Sequence, residues 1–314
     1  MSTKNEFLTL ALELSRNSNR ERMLPVIQKE LLHYEILLAL DEARILELLS
    51  FQGGTCLRLC YSSERYSEDL DFAGGTTLDH INFTLFSETI RQALLRRYAV
   101  DVSVEEPVAS TSTHVTSCDS ITDHISQIPT INDSEGAVRV RTWTVLVTVA
   151  ANRPDLPKQR INIQVACVPA HTRMIRSMIV NYAELPASYA DTLIVCESLE
   201  EIAADKLLAF VSSKHIRHRD LWDLRWLAVQ AGFDHSLLPR LFDAKLDDYA
   251  EHGRFNENQS RVFEIPEILQ GSDFNKQMLR FLPTQVIDRT LKRSGFYEHM
   301  AETVMKLYQI VGAL

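Results

Sequence analysis

At 314 residues, the chain suits one large domain or two modest ones, since domains commonly hold roughly 100–200 residues. Apolar residues make up 45% and charged residues 24%, with only ten Gly and ten Pro, which excludes fibrous, collagenous and wholly disordered chains. Lys and Arg number 33 against 42 Asp and Glu, a net charge of −9, so a polyanionic partner must be held by a local basic patch.

The opening segment, MSTKNEFLTLALELSRNSNRER, places acidic and polar residues among its apolar positions and is not a signal peptide. No apolar run approaches the roughly 18–20 residues of a membrane span, so a cytoplasmic protein without a membrane partner is expected. Helical periodicity from Glu6 to Leu49, interrupted near Asn17–Arg20, predicts two or three helices. Then comes FQGGTCLRLCYSSERYSEDLDFAGG. Gly53 and Gly54 let backbone N–H groups approach an anion, and TCLRLCY is helix-like, so the glycines fall at a helix N-terminus suited to phosphate. Ser67–Phe72 alternates polar and apolar and predicts a strand, which puts Asp69 and Asp71 side by side, about 6.6 Å apart. Two carboxylates on one face suit a hard divalent cation such as Mg²⁺. Either feature alone is commonplace. Together, with fourteen residues between Gly54 and Asp69, they predict a phosphate cradle and a metal pair at one sheet edge.

Residues 82–97 predict an amphipathic helix. From Tyr98 to Glu135 there are seven acids and no Lys or Arg, and the Ser- and Thr-rich stretch 110–134 predicts edge strands and loop. Residues 136–180 reverse the balance, with Arg139, Arg141, Arg153, Lys158, Arg160, Arg173 and Arg176 against Asp155 alone. AVRVRTWTVLVTVA and RINIQVACV carry the Val, Ile and Thr signature of strands, joined by the Pro-rich NRPDLPKQ. After Pro186 the pattern is helical to the end. The predicted class is α+β, with a small mixed sheet near residues 66–168. A catalytic domain with N-terminal helices spans 1–185, and an all-helical domain spans 186–314.

Ser198–Glu201 is a capping-box pattern. The apolar stripe that follows, Leu199, Ala203, position 206 and Phe210, contains Lys206, while Asp220 falls on the buried face defined by Leu224 and Leu227. One intruding charge of each sign predicts an ion pair or a functional site. Asp223 is the runner-up acid, and Asp220 could equally be tied to Arg217 or Arg219. His215 and His218 have helical metal spacing without a third ligand, and read as solvated surface. The five cysteines form no C-x-x-C pair, and Cys56 and Cys60 read as small core residues. Trp143, Trp222 and Trp226 read as core or interface. There is no Walker loop, dinucleotide fingerprint or hydrolase triad.

Phe51-Gln52-Gly53-Gly54-Thr55-Cys56-Leu57 followed by Arg65-Tyr66-Ser67-Glu68-Asp69-Leu70-Asp71-Phe72 resembles the F-K-G-G-T-x-L … R-F-S-E-D-L-D-F signature of the AbiEii/AbiGii toxin family. Ala204-Asp205-Lys206-Leu207-Leu208-Ala209-Phe210 and Arg219-Asp220-Leu221-Trp222-Asp223-Leu224 are similar to its later A-D-K-L-x-A-L and R-D-L-x-D-L motifs. The resemblance frames about residues 25–230. It implies a polymerase β-like nucleotidyltransferase that serves as the toxin of a toxin–antitoxin or phage-defence system. It also implies Mg²⁺ or Mn²⁺ on Asp69 and Asp71, an NTP substrate contacted by Gly53, Gly54, Thr55, Arg65, Ser67 and Lys206, and Asp220 as a further catalytic acid or base. The implied partners are an acceptor, either an RNA 3′ end such as that of tRNA or a protein hydroxyl, and a cognate antitoxin protein. Two departures stand out. Gln52 replaces the usual Lys, and RINIQVACV offers Asn162 and Gln164 where relatives often carry an acid. Amides can ligate a metal weakly but cannot act as a base. Arg217 and Arg219, with the basic 136–180 stretch, are the candidate RNA contacts. A small-molecule nucleotidyltransferase of the antibiotic-modifying kind and a non-catalytic nucleotide-binding module are the alternatives the residues leave open.

Overall fold

A computed structural model describes residues 6–17, 20–76, 81–105, 109–110, 128–129, 138, 140–149 and 157–314. Most of the Ser- and Thr-rich stretch, the Pro-rich connection, Arg139, Arg153 and Cys118 lie outside the described residues. The chain divides into two compact units, with the break between Cys196 and Glu197.

The first unit is a helix-backed sheet. Helices α1 (Glu6–Asn17) and α2 (Leu24–Glu42) precede β1 (Ser50–Gln52), α3 (Gly53–Cys60), β2 (Leu70–Ala73), α4 (Phe83–Tyr98) and β3 (Asp101–Glu105). Strands β4 (Val140–Thr148), β5 (Gln159–Ala166), β6 (Met174–Ser177) and β7 (Leu193–Cys196) complete it. The seven strands form one mixed sheet in the order β3-β4-β5-β2-β1-β7-β6. Strand β2 is antiparallel to β1 and parallel to β5, and β1 is parallel to β7. Because strand side chains alternate, register sorts the residues into two faces. Phe51, Phe72, Trp143, Val145, Ile161 and Ile163 are fully or almost fully buried on one, where Phe51 stacks on Phe72 at 4.9 Å and Phe86 of α4 lies 4.5 Å from Trp143. Asp71, paired in register with Gln164, lies on the other, with Asn162 opposite Thr144 and Gln164 opposite Thr142. The sheet is therefore apolar towards its helices and polar on the face that carries the acid.

The second unit is helical. It comprises α5 (Leu199–Ser212), α6 (His218–Ala228), α7 (Leu238–Asp248), α8 (His252–Asn258), α9 (Ile265–Gln270), α10 (Ser272–Phe281), α11 (Thr284–Arg289) and α12 (Phe296–Ile310). Ser198 caps α5 by accepting the Glu201 N–H at 3.3 Å, as the capping-box pattern predicts. Among the described residues, no helix is long and apolar enough to cross a membrane.

The α+β class holds, and the sheet extends beyond the expected 66–168 window at both ends through β1, β6 and β7. These three strands have only three or four residues each, too few for an alternation to show. Leu193–Cys196 is a continuous apolar run that periodicity cannot separate from a helix.

Candidate active site

In the first unit, the two halves of the Gly-Gly … Asp-x-Asp motif meet through the register of a hairpin. Strand β1 pairs Gln52 with Asp71, so Gly53, the next residue, turns off the strand against the Asp71 carboxylate. Gly53 has φ +75°, and a Cβ there would stand 2.6 Å from Asp71 Oδ2. Only glycine satisfies both the left-handed backbone and the missing space. At Gly54 a Cβ would stand 2.4 Å from Arg65 Nη2 and 2.9 Å from Ser67 Oγ. Arg65 is buried and donates from Nη1 to the Tyr66 carbonyl at 2.8 Å. Thr55 donates its hydroxyl to the Asp69 carbonyl. Gly53, Gly54, Thr55, Arg65, Ser67, Asp69 and Asp71 thus converge on one turn.

The strand expected over Ser67–Phe72 begins only at Leu70. Upstream, side chains take the place of ladder partners. His33 Nε2 lies 3.0 Å from the Glu68 carbonyl, Lys29 pairs with the Glu68 carboxylate at 2.7 Å, and Thr55 holds the Asp69 carbonyl. Asp69 Oδ1 accepts the Asn162 N–H at 3.2 Å, closing the strand end beside the Leu70–Ile163 pair. His33 was not foreseen. Burial, with a smaller contribution from Lys29, lowers its pKa to about 4 against the opposing pull of the Glu68 carbonyl, so its ring is neutral near pH 7 and donates to that carbonyl. A second support ties α3 to α2. Arg58 Nε donates to Glu30 Oε1 at 3.2 Å, and its guanidinium lies 4.3 Å from the Tyr66 ring centroid. Glu30 also receives the Asn181 amide at 2.8 Å and the Tyr182 hydroxyl at 3.2 Å.

Gln164 stands directly beside Asp71, and Asn162 accepts the Thr144 hydroxyl at 3.2 Å. The strand neighbour of the acid pair is therefore an amide, and no carboxylate lies on β5.

In the second unit, Lys206 places its ammonium between two acids, 2.8 Å from Asp220 Oδ1 and 2.8 Å from Asp223 Oδ2. Arg217 donates to the other Asp220 oxygen. Burial alone would raise the Asp220 pKa, but Arg217 and Lys206 together hold it well below the usual carboxylate range. Arg219 lays its guanidinium 5.0 Å from the Phe281 ring centroid. A further buried charge cluster was missed. Lys245 of α7, fully buried, contacts Glu197 and Glu201 at 2.9 Å each and Asp205 at 3.2 Å. Its sequence signal is the one that marks Lys206, a lysine inside the apolar stripe Leu238, Leu241, Phe242 and Leu246. The adjacent residues Asp205 and Lys206 therefore tie α5 to two different helices, α7 and α6.

Residues 35–294 match the family model described as nucleotidyl transferase AbiEii toxin of type IV toxin–antitoxin systems. The chain belongs to the AbiEii family. As an AbiEii member it is a nucleotidyltransferase of toxin type, and the family generally uses an NTP and a divalent metal. Among solved structures it is similar to MenT4, a nucleotidyltransferase toxin from Mycobacterium tuberculosis H37Rv. The identity is 16%, with 98% of this chain and 90% of that one covered and a TM-score of 0.51. JHP933 from Helicobacter pylori matches at 17% identity over 91% of each chain with a TM-score of 0.42. No curated protein matches. The donor set fits the divalent cation the AbiEii family implies. Asp69 and Asp71 offer hard carboxylate oxygens, and the lack of a Cβ at Gly53 lets the backbone of the turn come close to the Asp71 carboxylate.

Proposed function

We propose that this AbiEii chain transfers a nucleotide from NTP to the 3′ end of an RNA, tRNA being the acceptor class. Transfer would block growth in the cytoplasm until a cognate antitoxin protein neutralises the toxin. The convergence of the Gly53–Gly54 turn on Asp71 carries the reading, because it joins an anion cradle to a carboxylate pair.

In this proposal Asp69 and Asp71 hold Mg²⁺ or Mn²⁺, which supplies Lewis-acid stabilisation of charge on the phosphate oxygens. The triphosphate lies against the Gly53–Thr55 backbone at the N-terminus of α3, where unsatisfied N–H groups and the helix dipole favour an anion. Arg65, buried behind Gly54, adds a fixed positive charge, while Thr55 and the Asn162 N–H hold Asp69 in place. Gln164 orients the acceptor or the cation and cannot accept the acceptor's proton. Lys206 on the phosphates and Asp220 as acid or base would each require the side chain to give up pairs it makes here. The observed pairs favour a structural role for both.

Arg160 supports a polyanionic acceptor. It is exposed on the same face of β5 as Asn162 and Gln164, with Lys158 exposed just before the strand. Arg217 and Arg219 are further candidate RNA contacts.

The test incubates the purified chain with each labelled NTP, a divalent cation and total bacterial RNA, with a chelator control. Chelator-sensitive label in RNA is expected. Label confined to protein or to a small molecule would overturn the acceptor assignment.

A further inference from the structure

Two cysteines of one helix and a third far away in the sequence close on one another beneath the nucleotide cradle. Cys56 and Cys60 lie one turn apart on α3, and Cys196 ends β7, paired in register with Phe51 of β1. All three are buried free thiols, and their sulfur atoms lie within 4.8 Å of one another. A metal–thiolate bond of about 2.3 Å puts the sulfurs of one trithiolate about 3.8–4.0 Å apart in tetrahedral or trigonal geometry. The observed triangle is thus within about 1 Å of closing on a single ion. The packing of small apolar side chains needs no such convergence of three sulfurs.

We propose that Cys56, Cys60 and Cys196 form a trithiolate site for a thiophilic d¹⁰ cation, Zn²⁺ or Cu⁺. Soft sulfur selects such ions over the hard cation of the carboxylate pair, so the two metals do not compete. Each thiol gives up its proton to solvent as its sulfur takes the metal. Arg176 of β6 lays its guanidinium 4.9 Å from the ring centroid of Tyr61, the residue after Cys60. That placement sets a cation beside a centre whose net charge becomes negative on binding. The bound ion would tie α3 to β7. Because the first turn of α3 is Gly53–Thr55, the site fixes the cradle from behind without touching the nucleotide.

Reduced, metal-free full-length chain is titrated anaerobically with Cd²⁺, read by thiolate-to-metal charge-transfer absorption, and separately with Zn²⁺ and Cu⁺, read by protection of thiols from a chromogenic disulfide. The expected result is a sharp break at one equivalent with three thiols protected. Zn²⁺ or Cu⁺ should raise the melting temperature of the unsubstituted chain, and the tighter of the two identifies the resident ion. Cys56→Ser, Cys60→Ser and Cys196→Ser should each weaken binding by more than the about 10–100-fold that loss of an outer-shell partner costs. Cys167→Ser, a partly exposed thiol bonded to the Gly75 carbonyl, should bind as before. Cys→Ala partners of each variant and near-ultraviolet circular dichroism separate loss of a ligand from loss of the fold. A titration of the unsubstituted chain with no break near one equivalent would overturn the site, as would folded cysteine variants that bind like the parent.

Discussion

Lys206 is where the structure makes the sharpest quantitative demand. Its ammonium sits between Asp220 and Asp223, with side-chain exposures of 8%, 5% and 1% respectively. Replacing it with methionine keeps the length and apolar packing of the side chain and removes only the charge. Asp220 keeps Arg217, which is itself 31% exposed, whereas Asp223 loses the ammonium and stays in the interior. Deleting one partner of a buried pair typically costs about 3–5 kcal/mol, most of it the penalty of leaving the remaining charge in a low-dielectric site. At about 2–4 °C per kcal/mol for a chain of this size class, Lys206→Met should lower the melting temperature by about 6–20 °C.

The assay is thermal unfolding of the parent, Lys206→Met, Asp223→Asn and the double variant, with NTP affinity measured well below each transition. If a stranded charge is the cause, adding Asp223→Asn should recover much of the loss, with a coupling energy of about 0.5–3 kcal/mol. NTP affinity of the folded Lys206→Met protein should stay close to the parent's. An unchanged melting temperature together with a tenfold loss of NTP affinity would refute this reasoning and return Lys206 to the phosphates.

Asp71→Asn should reduce nucleotide transfer at least about 100-fold, because a carboxylate ligand contributes several kcal/mol through the metal, and should leave the melting temperature near the parent's. A normally active variant would end the two-carboxylate assignment. Gly54→Ala drives a methyl group into buried Arg65 and Ser67 and should cost about 1–3 kcal/mol together with most of the transfer activity, both measured on one preparation. His33, whose pKa falls to about 4 from 6.5 through burial, binds fewer protons folded than unfolded between those values. Its contribution is therefore complete above pH 6.5 and is lost progressively down to about pH 4, about 3 kcal/mol in all. Chemical denaturation at several pH values should show that component missing in His33→Gln, which still donates to the Glu68 carbonyl; identical pH dependence would refute it. Arg160→Glu should weaken RNA modification and lower its salt slope by about 1 without changing NTP affinity.

How much of this was legible in the sequence depends on the range over which each signal acts. The glycine turn and the aspartate pair were readable because a single hairpin joins them, and the Gln52–Asp71 register follows once β1 and β2 pair. The amide in place of a strand acid was equally plain, since it needs only the identity of Gln164. Strands β1, β6 and β7 were not readable, because three or four residues cannot display a period, and the β1–β7 pairing joins segments distant in sequence. Cys196 stands 136 residues from Cys60, and only the parallel β1–β7 pairing brings it to α3.

The buried lysines show the limit of the stripe argument itself. A charge inside an apolar helical stripe flags burial, and by that rule Lys245 is as conspicuous as Lys206. The rule cannot choose a partner, because an anion on a ligand and a carboxylate on a neighbouring helix satisfy an ammonium equally well. In the A-D-K motif the two charges, adjacent in sequence, point about 100° apart around α5, so they cannot serve the same site through one face. Asp205 joins Glu197 and Glu201 around Lys245, and Lys206 joins Asp220 and Asp223. All five of these acids come from the two short segments Glu197–Asp205 and Asp220–Asp223, the first segment paired with Lys245 and the second with Lys206. Taken with the resemblance, this means the later motifs carry the ion pairs that hold α5, α6 and α7 together. A helical unit built this way needs those residues for its packing whether or not they ever meet a nucleotide, and the Lys206→Met cycle separates the two demands.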